Sequence, residues 1–327
     1  MSYPVPQYVQ LYPTTRCNQK CYFCFNHGNK TLPDLSFDKA LKLLGILLHS
    51  GIREIDIMGG EPLLLPWMPD FVKIAAESRL MVNISTNGSA RKALRALHEI
   101  DPRLAHIGIS LEGSTEAKHN LVTKSGHFTL ALESIKYLVS MNRDPIVKTV
   151  VTRSMMEDAQ TIVNLLRDIG VRRYYLIHMD VMVNSGSLIG EALPYTDFLN
   201  FYENLRTKNR GIGIFKVNAS CFDKSSIPDV RCAGGVRKLS ILPDGSVFPC
   251  NLFHRFGEWE LGNIFKDDFS DIWTNPKLAF FRTSRANICP YTDCTNRDFC
   301  TGGCPAHGYS HYGNMDAPDI RCKVQPD

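Results

Sequence analysis

Cys17, Cys21 and Cys24 form the run Cys-x3-Cys-x2-Cys near the start of the chain. Three thiolates from one short loop can hold a four-iron cluster and leave its fourth iron without a protein ligand; ferredoxin runs give each cluster four cysteines and close it. An iron with an open position can bind a small molecule and do chemistry, whereas a closed cluster carries electrons. Zinc prefers four ligands, often in C-x2-C pairs, and the three-residue gap suits it poorly. Eight further cysteines lie beyond residue 220. Cys221 is followed by Cys232-x12-Gly245-x4-Cys250, then Cys289-x4-Cys294-x5-Cys300-x3-Cys304, and last Cys322. Eight divides into two sets of four, which suits two fully ligated [4Fe–4S] clusters or two zinc sites.

These groups need elements to position them. Gly59-Gly60-Glu61-Pro62 follows the apolar run 55–58, Ser85-Thr86-Asn87-Gly88 ends the run 80–84, and Ser110-Leu111-Glu112-Gly113 ends 106–109. Singly, such stretches are turns or loops. The surrounding pattern predicts strands over 8–12, 54–58, 80–85, 106–110, 146–151 and 173–178. Helices are predicted over 37–49, 67–78, 89–99, 129–141, 156–169 and 195–208, the first capped by Ser36. Strand alternating with helix means a parallel sheet with crossovers, and six units are too few for an eight-stranded barrel. The fold class expected is α/β, a partial (β/α)6 TIM-like barrel followed by a small cysteine-rich, loop-rich domain. The motifs all fall after strands, where parallel α/β folds place their active sites. We expect a barrel core over 1–183, a connecting helix and linker over 184–220, and an auxiliary domain over 221–327.

Composition narrows the function classes. A chain of 327 residues that is 44% hydrophobic and 21% charged can build a core. The net charge of +4, with Lys and Arg scattered, gives no reason to expect nucleic-acid binding. No apolar run nears the length of a membrane span, and the N-terminus is not a signal peptide. Eleven cysteines without a signal point to metal rather than disulfides, in a cytoplasmic protein.

With the cysteine loop, Gly59-Gly60-Glu61 and the strand-end motifs in this order, the chain resembles the radical S-adenosylmethionine (SAM) enzymes. The resemblance implies that Cys17, Cys21 and Cys24 hold a [4Fe–4S] cluster whose open iron is chelated by SAM. It implies a backbone approach to SAM at Gly59 and Gly60, a hydrogen bond from the SAM amino group to Glu61, and an adenine contact at Phe23. Ribose and methionine contacts are implied at Asn87, Ser110 and Glu112. The activity implied is reductive cleavage of SAM to a 5'-deoxyadenosyl radical, which abstracts a hydrogen atom from the substrate. Beyond residue 220, the Cys-x12-Gly-x4-Cys run, the 242–250 hairpin, Leu261-Gly262-Asn263-Ile264, Ile272-Trp273 and the Cys-x5-Cys-x3-Cys run resemble a SPASM domain with two auxiliary [4Fe–4S] clusters. Its ligand pattern implies one set of Cys221, Cys232, Cys250 and Cys304, and a second of Cys289, Cys294, Cys300 and Cys322. The four residues between Cys289 and Cys294 depart from the usual two.

Three and eight account for all eleven cysteines, so no thiol is left to return a hydrogen atom to a substrate radical. Oxidation or cross-linking of a peptide or protein is therefore the expected outcome. A carbohydrate or nucleoside dehydrogenase, decarboxylase or epimerase of the same family is the alternative, and a non-enzymatic zinc or electron-transfer protein a distant one. With the first cluster cysteine at position 17, an N-terminal leader-recognition domain is not expected. A flavodoxin or ferredoxin-type electron donor is expected as partner, and neither nucleic acid nor membrane. His178 and Asp180, after the sixth strand, are expected at the barrel mouth, for proton removal or substrate binding.

Overall fold

The computed structural model describes residues 4–26, 31–182, 188–223, 230–283 and 289–322. Seven strands run parallel in chain order: β1 (Tyr8–Leu11), β2 (Glu54–Ile57), β3 (Met81–Thr86), β4 (Ala105–Ser110), β5 (Ile146–Val151), β6 (Arg173–His178) and β7 (Gly213–Val217). Between them lie α1 (Phe37–His49), α2 (Met68–Glu77), α3 (Arg91–Leu97), α4 (Glu116–Thr123), α5 (Phe128–Ser140), α6 (Arg153–Met156), α7 (Ala159–Ile169) and α8 (Tyr195–Lys208). Local chemistry explains several boundaries. The Ser36 side chain accepts from the Lys39 N–H and starts α1. Gly170, left-handed at φ 93°, ends α7.

Alternation gives the sheet two unlike faces. On β3, Val82, Ile84 and Thr86 are buried while Met81, Asn83 and Ser85 are half-buried, and β5 and β6 alternate likewise. The buried set joins helix residues such as Leu43, Leu47, Phe71, Val72, Ile135 and Leu166 in one core. The other face is polar. Register sets Ser240, Gln10, Asp56, Asn83 and His106 side by side across five strands. Asn83 Nδ2 donates to Asp56 Oδ1 and Glu54 Oε1, each at 2.7 Å, and His106 Nδ1 lies 3.0 Å from Asn83 Oδ1.

The sheet does not end at the sixth strand. Residues 213–217, expected within a linker, form β7 against β6, and α8 packs Tyr195, Phe198, Tyr202 and Leu205 inward. As an edge strand β7 leaves Phe215 and Val217 more than 40% exposed, so it lacks the alternating burial that marks an inner strand. At the other end β8 (Lys238–Ile241) pairs parallel with β1. The Asp244-Gly245 hairpin then returns as β9 (Ser246–Phe248), followed by the two-residue β10 (Gly262–Asn263). Three short helices complete the chain: α9 (Phe269–Trp273), α10 (Ala279–Arg282) and α11 (Pro305–Tyr312). Trp273 Nε1 donates to the Pro4 carbonyl at 3.2 Å, joining the N-terminal segment to α9. Among the described residues no helix is long and apolar enough to cross a membrane.

Phe198 is fully buried and stacks on His178 with ring centres 4.6 Å apart, so α8 is held to β6 by aromatic packing. Phe198→Ala is expected to lower the unfolding free energy by about 3–5 kcal/mol. Denaturant titration followed by circular dichroism measures it, and an unchanged midpoint would contradict this packing.

Candidate functional site

The cysteine loop is a continuation of the β1 ladder. Past the last strand residues, Met58 N–H donates to Leu11 O at 2.8 Å, Gly60 N–H to Thr14 O at 3.0 Å, and Glu61 N–H to Arg16 O at 2.8 Å. This pairing explains the two glycines. A Cβ on Gly59 would lie 2.6 Å from Thr14 O, and one on Gly60 1.9 Å from Arg16 O. The side chains are excluded by the loop's own backbone, so the space that sequence reading reserved for a ligand is needed first by the chain. On its far side the loop is pinned to α4: Lys20 N–H donates to Thr123 O at 3.0 Å and Tyr22 N–H to Val122 O at 3.1 Å.

The loop brings Cys17, Cys21 and Cys24 within electrostatic reach of one another. Burial pushes the Cys17 thiol up; burial and then the Glu112 charge push Cys21 up further, with the neighbouring cysteines adding. Three thiols that resist ionising one another become thiolates only with compensating positive charge, which iron supplies. The donor set therefore fits a site-differentiated cluster.

Strand-end carboxylates frame this loop. Glu61 is 1% exposed, and its carboxylate accepts from Leu63 N–H (3.1 Å), Thr86 Oγ1 (2.6 Å) and Asn87 N–H (2.7 Å). Burial raises its pKa to about 6. Two of these bonds tie the segment after β2 to the end of β3, and the third caps the turn at Leu63. Asn87 Nδ2 donates to Asn18 Oδ1 at 2.7 Å, inside the cysteine loop. Glu112, beyond β4, is buried and accepts from Val150 N–H at 3.0 Å; burial lifts its pKa to about 8. Ser110 is half-buried at the end of β4. Phe23 packs on the small cluster of Met179, Val181 and Ala192. Gly60, Glu61 and Asn87 meet the cysteine loop directly, and part of their bonding capacity is internal.

The later cysteines fall into two groups. Cys221 is hydrogen-bonded to Cys232 and Cys304, and Cys250 senses the charges of both. The Cys221 thiol holds Cys232 down at about 6, while burial lifts Cys250 to about 12. In the second group, burial pushes Cys322 up, with Asp319, Cys300, Cys289 and Cys294 adding to it. Cys300 Sγ accepts from Gly302 N–H and Gly303 N–H, each at 3.2 Å, and burial raises its pKa. Cys289 lies in the second group despite its wider gap. Among the described residues no three His, Cys, Asp or Glu side chains close tightly around a single-ion position. All eleven cysteines are free of disulfide bonds.

His178 and Asp180 do not play the parts expected of them. His178 is 2% exposed, points to the helix side of the sheet, stacks on Phe198 and approaches Leu193 O at 2.8 Å through Nε2. Burial lowers its pKa to about 3, so it is a neutral core side chain and not a base at the mouth. Asp180 accepts from Arg321 Nη1 at 2.9 Å and stands 3.2 Å from His307 Nε2. Although burial opposes it, His307 and Arg321 hold this carboxyl at about 2, which leaves it an ion-pair partner. Sequence reading missed His307, Asp319 and Arg321 altogether. The signal available was charged residues directly beside the last cysteine, Asp319 and Arg321 before Cys322.

A partial parallel barrel whose strand ends frame a three-cysteine loop, followed by two cysteine quartets, defines an enzyme built on metal clusters. The chain belongs to the radical SAM superfamily, whose family model matches residues 11–169, and it carries a C-terminal SPASM iron–sulfur cluster-binding domain, matched over 232–301. A SAM-binding [4Fe–4S] cluster and auxiliary clusters are the cofactors of this architecture. The antilisterial bacteriocin subtilosin biosynthesis protein AlbA of Bacillus subtilis is 23% identical, over 94% of this chain and 68% of its own. The PqqA peptide cyclase of Methylocella silvestris is 24% identical, over 96% of this chain and 86% of its own. In fold, the chain is similar to Streptococcus suis SuiB bound to S-adenosylmethionine, with a TM-score of 0.80 at 18% identity, covering 98% of this chain and 78% of that one.

The close approach at Gly60 generates a prediction. Gly60→Ala drives a methyl group into the Arg16 carbonyl and must displace the loop. The reconstituted variant is expected to lose iron equivalent to one cluster of three and its SAM binding, with its circular dichroism preserved. Full iron and wild-type SAM affinity would show that the loop does not depend on this contact.

Proposed function

We propose that this enzyme is a peptide or protein maturase. With SAM and its cluster bound, the site supplies a radical that removes a hydrogen atom from the substrate, which is then oxidised or cross-linked. Supporting this outcome, the eleven cysteines, none in a disulfide, group as one triad and two quartets, an assignment that would leave no thiol to return a hydrogen atom. The kinship to proteins named for peptide cyclisation and bacteriocin biosynthesis supports the substrate class.

In this reading Cys17, Cys21 and Cys24 hold the SAM-binding cluster. Glu61 and Asn87 fix the end of β3 against the cysteine loop and leave one carboxylate position for the SAM amino group. Glu112, neutral at pH 7 in the absence of a nearby cation, ionises when one is bound and so favours a positively charged ligand. Ser110 and Phe23 line the same end of the sheet. Cys221, Cys232, Cys250 and Cys304 hold the first auxiliary cluster, and Cys289, Cys294, Cys300 and Cys322 the second. In this division of labour the parallel barrel, continued past residue 183 by α8 and β7, generates the radical, and 221–327 carry electrons away. Cysteines without disulfides and oxygen-sensitive clusters suit the cytoplasm, with a flavodoxin or ferredoxin-type donor providing the reducing electron.

Two measurements test this. Cys21→Ala is expected to abolish SAM cleavage while auxiliary iron is retained; wild-type cleavage would remove Cys21 from the ligand set. The anaerobic holoenzyme, given SAM, reductant and any short precursor peptide that a search of the flanking genes identifies, is expected to form 5'-deoxyadenosine and a peptide lacking two hydrogen atoms per modification by mass spectrometry. Turnover of a carbohydrate or nucleoside with the peptide untouched would replace this reading with the small-molecule one.

A further inference from the structure

Four charged side chains outside the radical site meet where the end of β6 faces α11. Arg321 donates from Nε and Nη2 to the two oxygens of Asp319 at 3.0 and 2.9 Å, and from Nη1 to Asp180 Oδ1 at 2.9 Å and Met179 O at 3.0 Å. His307 sits between the acids, with Nδ1 3.2 Å from Asp319 Oδ1 and Nε2 3.2 Å from Asp180 Oδ1. His307, Asp319 and Arg321 are at most 2% exposed, and the Asp180 side chain is 27% exposed. Burying four such groups is costly unless every charge is met. Only Asp180 comes from the barrel; the stretch 307–321 supplies the other three. Nδ1 of His307 bonds to Asp319, while Nε2 only approaches Asp180, short of hydrogen-bond geometry. Asp180 adds a second carboxylate to the Arg321 guanidinium from the barrel side.

The same group reaches both cysteine quartets. Asp319 Oδ2 accepts from the Cys304 N–H at 3.0 Å, and Asp319 O accepts from the Cys322 N–H at 2.9 Å. Arg321 directly precedes Cys322, and its charge is also felt at Cys304. One aspartate thus fixes the main chain at a member of each quartet. Net charge and hydrogen bonding around a cluster set its potential, and outer partners orient its ligands.

We propose that Asp180, His307, Asp319 and Arg321 form a shared support for the two auxiliary clusters, positioning Cys304 and Cys322 together and setting both reduction potentials from one buried charged group. These are positioning residues. The inference rests on the cluster assignment above and not on the choice of a peptide substrate.

The test uses the full-length, anaerobically reconstituted holoenzyme without substrate, in potentiometric titrations followed by electron paramagnetic resonance. Asp180→Asn keeps an oxygen for Arg321 and removes a negative charge. Both auxiliary midpoints are expected to move to more positive potentials, since the incoming electron meets less repulsion. The cluster on Cys17, Cys21 and Cys24 is expected to hold its potential. Arg321→Gln removes the cation and is expected to move both auxiliary midpoints the opposite way. If one variant fails to fold, as seen by circular dichroism, the sign of the other decides. A shift at one auxiliary cluster alone, at neither, or of the wrong sign would overturn the proposal. Zinc in place of iron at both quartets would instead sink the cluster assignment, an outcome that metal analysis of the wild-type protein reads separately.

Discussion

The structure turns on a backbone contact between two loops. Where β1 and β2 end, their ladder carries on into the cysteine loop and the Gly59-Gly60-Glu61 turn, with N–H to C=O bonds from Gly60 to Thr14 and from Glu61 to Arg16. Main chain this close to main chain tolerates no Cβ at either glycine. The contact fixes the three thiols relative to β2, and Glu61 then passes the constraint to β3 through Thr86 and Asn87. Asn87 returns it to the loop through Asn18. The cluster site is thus held by a closed ring of hydrogen bonds.

Around that ring the barrel separates its two solvents. Apolar residues face the helices, while the other face carries Gln10, Asp56, Asn83 and His106 in one row. Buried polar groups need partners, and here Asn83 ties Asp56, Glu54 and His106 together. Lys148, drawn below its usual pKa by burial, reaches Ser85 Oγ at 2.8 Å on the same side.

Much of this was legible beforehand. The six expected strands match β1 to β6 within a residue at each end, since period-two runs bounded by turn residues were strong there. The cysteine runs announced themselves by spacing. Other features had no local signature. The exposed face of β7 hid it, and α4 has too little apolar patterning to stand out. His178 read as a mouth residue because it ends a strand, but the parity of β6 turns it to the helices, where Phe198 covers it. Asp180 read as catalytic because it is acidic and follows a strand; its partners lie more than a hundred residues away, a relation no local pattern encodes.

The place of β1 in the sheet has a consequence for synthesis. This strand is interior, flanked by β2 on one edge and β8 on the other, and Tyr12 N–H donates to Ile241 O beyond the strand end. On the ribosome its second edge stays bare until Ile241 has left the exit tunnel, about 10–50 s later at ordinary elongation rates. Throughout that interval the nascent chain holds the first three cysteines in an unfinished frame. Iron delivered before then would meet a loop still open on one side, so maturation of the radical site belongs after β8 has paired with β1.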